Sequence, residues 1–301
     1  MFIEVAMLIL TGLLWTLIGI AVSRCAVCGQ NYNMVQGATA FLTALISIIV
    51  LLVFSMWPST QRGAMIVAGL CILGGIANYA NYFLTGHAMK YGHNGLIWAL
   101  MQTSMVSSFI MGAIFFGDNI TLFRIIGALF LLAGVFLMGS AKSSGVVCKD
   151  APRYKWLVPT LGALVLASVT QCSGTLISYF PELRESSPVF RSAATNIGVF
   201  FAFALAVPFD SALKRKPTRK EIQYSLILLF SGLIAGYVLF YNALDRLQQY
   251  NLTAIGYPVS LGACIAAFML YSTLILREKT SIAGWGGFLA CLAGITFLAI
   301  P

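Results

Sequence analysis

Asp118-Asn119-Ile120-Thr121, followed by the apolar run 122–138, is matched later in the chain by Glu278-Lys279-Thr280-Ser281, followed by 282–300. A shift of 160 positions sets Asp118 over Glu278, Thr121 over Ser281, Gly127 over Gly287, Leu129 over Leu289, and Leu132-Ala133-Gly134 over Leu292-Ala293-Gly294. An acidic residue and a hydroxyl residue open each helix. The hydroxyl can cap free backbone N–H groups, and the carboxylate suits the positive end of the helix dipole. The two glycines of each copy, seven residues apart, share one helix face, where a neighbouring helix can approach closely. Each copy is expected to close one half of a duplicated chain.

Composition sets the solvent. Of 301 residues, 59% are hydrophobic and 9% charged, against roughly 25% charged in a soluble domain. Such a chain cannot cover its surface with charge, so its outside faces lipid. Ten apolar windows of membrane-crossing length follow: 2–22, 34–57, 63–85, 95–116, 120–140, 156–180, 189–209, 222–244, 252–276 and 280–300. Each is about 30 Å long as a helix. Backbone groups in lipid must be satisfied within the segment, so the windows are helices. The first lacks a basic n-region and a good cleavage site, and reads as a span rather than a signal peptide.

A net charge of +9 would suggest a nucleic-acid partner in a soluble protein. Here the basic residues gather in connectors, above all 141–155 and 210–221, where basic loops set membrane orientation. No nucleic-acid partner is expected. Odd-numbered connectors hold thirteen Lys and Arg, even-numbered ones five. That count puts the odd connectors in the cytoplasm and both termini outside. The seven cysteines lie mostly inside helices, and Cys25-x-x-Cys28 has no second pair. Buried cysteine behaves as a small apolar residue, so neither a metal nor a cofactor is expected.

Residues 1–140 and 156–301 each hold five windows, joined by the polar connector 141–155. An odd number of spans per half forces the two copies into opposite orientations. The expected fold is therefore an all-α membrane protein of ten transmembrane helices, arranged as two inverted five-helix repeats. Secondary transporters are often built so, with the substrate site near the midplane between the halves.

The chain resembles the drug/metabolite transporter superfamily in its ten-helix, EamA-like branch. The features that carry the resemblance are Asp118/Thr121 and Glu278/Ser281 before a Gly-rich fifth helix, Phe190-Arg191 opening a second helix, and Asn242-Ala243 ending a third helix fifteen residues before Pro258. In the first half Gln36 replaces the Arg, and Thr103 stands near the expected Pro. The resemblance implies a transporter in a bacterial inner membrane. It also implies both termini in the cytoplasm, against the charge count, and both orientations stay open.

Polar residues within spans should face the bundle interior or a wet cavity. In the third helix Asn78, Asn81, Tyr82 and Thr85 fall at i, i+3, i+4 and i+7, on one face. Its counterpart carries Tyr237, Tyr241, Asn242 and Asp245. Trp98 and Gln102 share a face of the fourth helix, whose counterpart offers Tyr257; Trp15 and Gln171 mark the first and sixth. Such amide, phenol and indole groups suit a cavity that hydrogen-bonds a small polar solute and packs on its flat part. The alternative for each stripe is hydrogen bonding between helices, worth about 0.6 kcal/mol per contact. For Trp98 the alternative is an anchor at the lipid interface.

No Lys, Arg, Asp or Glu sits midway along any window, which argues against a strongly anionic substrate. Arg191 is expected to face a headgroup or to pair with Glu182 or Glu185. Coupling to protons usually needs a membrane carboxylate or histidine; the candidates are Glu4, His87 and Asp245, each also readable as a surface residue. Enzyme motifs such as HExxH and GxSxG are absent from the sequence. The expected function is transport of a small neutral or zwitterionic metabolite by alternating access, by a monomer or homodimer. The competing reading is a membrane scaffold without a pathway.

Overall fold

A computed structural model describes residues 1–27, 29–89, 91, 94–140, 155–275 and 281–300. Cys28, Lys90, His93, the connector 141–154 and Arg277-Glu278-Lys279-Thr280 lie outside the described residues, and with them the acidic residue of the second copy. Every regular element among the described residues is helical.

In chain order the helices are α1 (Phe2–Val27), α2 (Tyr32–Phe54), α3 (Gln61–Ala88), α4 (Asn94–Gln102), α5 (Met105–Phe115), α6 (Leu122–Ser140), α7 (Leu157–Tyr179), the short α8 (Pro181–Arg184) and α9 (Pro188–Ala206). Then α10 (Arg219–Leu233) runs through a π-helical stretch, Ile234–Phe240, into α11 (Tyr241–Leu247), and α12 (Gly256–Leu274) and α13 (Ile282–Ala299) complete the chain. Among the described residues eight helical spans are long and apolar enough to cross a membrane, and Leu100–Phe115 and Leu122–Leu137 are shorter apolar helices. The window 95–116 is divided because Thr103 and Ser104 turn tightly. Their N–H groups donate to the carbonyls of Leu100 and Met101, and the Thr103 hydroxyl also donates to Leu100. A hydroxyl residue bonding to nearby backbone competes with the helical ladder.

Local chemistry sets the helix ends. Thr60, Ser187 and Ser281 each accept an N–H of the first turn. Thr218 and Glu221 form a reciprocal capping box at the start of α10. Thr121 accepts from the Arg124 N–H, so both hydroxyls of the repeated stretch act as caps. Gly117, at φ +65°, turns the chain from α5 toward α6, a conformation glycine adopts without steric cost. Pro258 stands in the first turn of α12, not inside a helix as the window 252–276 suggests. Proline is tolerated there because the first-turn N–H groups have no intrahelical partner.

Small residues decide which helices meet. α6 and α13 run antiparallel: Gly127 abuts Gly294 and Leu298, while Gly134 abuts Gly287 and Cys291. α3 lies against both α7 and α9, with Gly75 on the Thr195 carbonyl and Gly198 on the Ile72 carbonyl. α1 lies along α12 as α7 lies along α4 and α5, and α9 packs on α3 as α2 packs on α10. Leu8, Leu131, Leu244, Leu247, Ile255 and Leu298 are fully buried and join α1, α6, α11 and α13 in one apolar core. Large apolar side chains such as Leu52, Phe54, Phe115 and Ile282 face outward, as a lipid solvent requires.

Candidate functional site

Where α1, α3, α4, α7, α9, α10, the π stretch, α11 and α12 converge, they line a half-open cavity of about 230 Å³. Trp15, Asn78, Asn81, Tyr82, Trp98, Gln102, Gln171, Tyr241 and Tyr257, all singled out from the sequence, line it. Among the described residues its lining includes no Lys, Arg, Asp, Glu or His.

Two other candidates sit elsewhere. Tyr237 hydrogen-bonds the Ser47 hydroxyl on α2. The Asn242 side chain donates to the Tyr237 and Val238 carbonyls. Tyr237 lies within the π stretch and Asn242 just after it, where the bonding departs from the α-helical pattern. The stripe expected from a regular α-helix splits, and only Tyr241 of its first three members reaches the cavity. Gly232 and Gly236 also line the cavity; no neighbour stands within 4 Å of a Cβ placed on Gly232.

Ser192, Thr195 and Asn196 on α9 also line the cavity and were not singled out from the sequence. Their spacing of i, i+3 and i+4 repeats that of Asn78, Asn81 and Tyr82, so the same face rule would have found them.

The polar groups are partly committed. Gln171 donates from Nε2 to the Ser104 hydroxyl at 2.6 Å, and its Oε1 is buried without a partner. Asn81 accepts from the Thr85 hydroxyl at 3.3 Å. Asn196 donates to the Ser192 carbonyl at 2.9 Å. The aromatic groups form two sets: Trp15 stacks on Tyr257 with ring centres 6.0 Å apart and touches Phe240, while Tyr82 lies between Trp98 and Tyr32.

The coupling candidates lie outside this lining. Glu4 pairs with the amino group of Met1. His87 is exposed, its ring against Tyr91. Asp245 accepts from Arg191 at 2.9 Å and from the Ser178 hydroxyl at 2.7 Å. The guanidinium of Arg191, 0% exposed, also donates to the Ser186 hydroxyl and the Arg184 carbonyl. The expected pairing with Glu182 or Glu185 is thus corrected; Glu185 accepts from Ser59 instead. A buried guanidinium needs all its donors met, and the fold supplies a carboxylate from α11 that is remote in sequence.

Asp118 makes a second bridge. Its Oδ2 accepts from the Tyr179 hydroxyl at 2.7 Å and from the Ala254 N–H at 2.6 Å, tying the α5–α6 turn to the end of α7 and the approach to α12. Burial pushes this carboxyl above its ordinary pKa, against the opposing pull of those two donors and of Arg124. No cluster of three metal-ligating side chains occurs among the described residues.

A helical bundle with eight membrane-length spans among its described residues, packed around a polar cavity, is the build of a multi-pass membrane protein. Residues 2–140, a little under half of the chain, match the EamA-like transporter family, itself part of the drug/metabolite transporter superfamily. A solved crystal structure of another protein superimposes with a TM-score of 0.73 over 98% of this chain and 96% of that one, at 14% identity. That likeness shows the fold alone. No curated protein matches the chain.

Proposed function

We propose that the protein is a secondary transporter carrying a small neutral or zwitterionic metabolite, amino-acid-, sugar- or drug-like, across the bacterial cytoplasmic membrane by alternating access. The observation that carries this reading is the amide- and aromatic-lined cavity, to which α1, α3 and α4 contribute from one half and α7, α9, α11 and α12 from the other. Ten membrane helices as two inverted five-helix repeats, 1–140 and 156–301 about the connector 141–155, are the matching architecture. The antiparallel α6–α13 contact supports it, since Gly127 meets Gly294 as Gly287 meets Gly134. So does the exchange of partners between α1–α12 and α7–α4/α5. In this scheme the halves rock about the cavity and expose it to one side at a time.

The transporting unit is one chain, alone or in a homodimer, and a proton is the proposed driving ion, with Glu4, His87 and Asp245 as its candidate sites. The test is flux into proteoliposomes. Asn81→Ala and Tyr241→Ala should each impair uptake or export while the protein stays folded in detergent. Unchanged flux in both would assign these side chains to helix association and sink the cavity reading.

A further inference from the structure

Resting on the transport reading above, we propose that the cavity takes an uncharged planar heterocycle with a cyclic amide or amidine edge, about the size of one nucleobase, and rejects zwitterions. Two properties of the lining separate these classes: which charges are available and which hydrogen bonds are left open.

Among the described residues no charged side chain lines the cavity. Arg191 lies 5.7 Å from the Tyr241 ring, and its guanidinium is committed to Asp245, Ser186 and the Arg184 carbonyl. Asp245 is committed in turn to Arg191 and Ser178. A carboxylate or ammonium entering the cavity would lose its water and gain no counterion, a heavy penalty.

The open hydrogen bonds are those of neutral amides. Gln171 also lines the cavity, with its nitrogen held by Ser104. Asn81 has its oxygen held by Thr85 and is left with donors to offer. Asn78, on the same face of α3, lines the cavity as well. α3 and α7, which carry these amides, pack side by side. A side-chain amide presents donor and acceptor next to each other and pairs two-pronged with a ring edge of the same kind. Trp98 with Tyr82, and Trp15 with Tyr257, supply the flat apolar surfaces on which such a ring stacks.

Size narrows the class further. About 230 Å³ falls below the roughly 300–1,000 Å³ typical of sites for drug-sized ligands. A single or fused ring fits that space better than a ring carrying sugar and phosphate.

Full-length protein in lipid nanodiscs would be titrated with uracil and hypoxanthine, with L-phenylalanine and L-glutamine as zwitterions, and with glucose as a neutral non-planar solute. The same probes would be offered to proteoliposomes. We expect a heterocycle to bind and cross. Asn78→Ala, Asn81→Ala and Gln171→Ala should each weaken its binding roughly 3- to 10-fold, as loss of one neutral hydrogen bond does. Should Gln171→Ala fail to fold, the two asparagine variants carry the test. Binding and flux of an amino acid or glucose with neither heterocycle would overturn the substrate class and leave the carrier standing. Heterocycle binding indifferent to all folded variants would overturn the site. Absence of both binding and flux for every probe would overturn the inference together with the transport reading beneath it.

Discussion

Gly127 and Gly294 meet backbone to backbone: a Cβ on either would stand 2.8 Å from the other's carbonyl oxygen. The atoms in the way are main chain, which cannot swing aside as a side chain can. Gly127→Ala or Gly294→Ala should therefore lower unfolding stability in detergent by about 1–3 kcal/mol, the usual cost of overpacking. Gly286→Ala is the control. It lies on the same helix with nothing within 4 Å, and alanine is the better helix former by about 1 kcal/mol. Its melting temperature should be unchanged or slightly higher.

Arg191 and Asp245 should behave as one unit. Removing either partner leaves the other uncompensated, at a cost of about 3–5 kcal/mol for a buried pair. Denaturant unfolding of Arg191→Gln, Asp245→Asn and the double variant closes a cycle. The double should be more stable than the sum of the singles implies by at least ~1 kcal/mol. Strict additivity would mean that the pair does not couple.

Asp118 carries a pH dependence whose sign follows from burial. Its folded pKa lies above the ordinary carboxylate value, so the folded state holds the proton more tightly than the unfolded chain does. The contribution is fully present below the unfolded pKa and is lost as pH rises through the folded one. Between pH values just below the ordinary carboxylate range and neutrality, wild-type stability should fall more than that of Asp118→Asn. The asparagine oxygen can still accept from Tyr179 and Ala254. Equal slopes in thermal unfolding would remove Asp118 as the source.

Proton coupling has three named sites to lose. If flux depends on an acid gradient, the combination Glu4→Gln, His87→Ala and Asp245→Asn should abolish that dependence. A gradient response that survives all three changes places the coupling elsewhere.

Orientation is decided by labelling. The charge count puts the basic connector between α9 and α10 in the cytoplasm. A cysteine at Lys216 should then resist a membrane-impermeant maleimide in intact cells and react in inside-out vesicles. The opposite pattern would place both termini inside.

Much of this molecule is legible in one dimension. Charge scarcity demands a lipid-facing surface, and 3.6-residue spacing puts Asn78, Asn81 and Tyr82 on one face before any contact is known. Glycine spacing marks the surfaces of α6 and α13 that can touch. These are local properties, imposed by solvent and helix geometry, and each is fully contained in a short window of sequence. The destination of Tyr237 was hidden because its partner, Ser47, lies on a helix 190 positions away. Arg191 could not be assigned its carboxylate, nor Asp118 its hydroxyl and amide, because those partners lie 54, 61 and 136 positions away. Such choices depend on which helices cross and at what depth. Tertiary packing alone settles that, by bringing together buried groups that can satisfy one another.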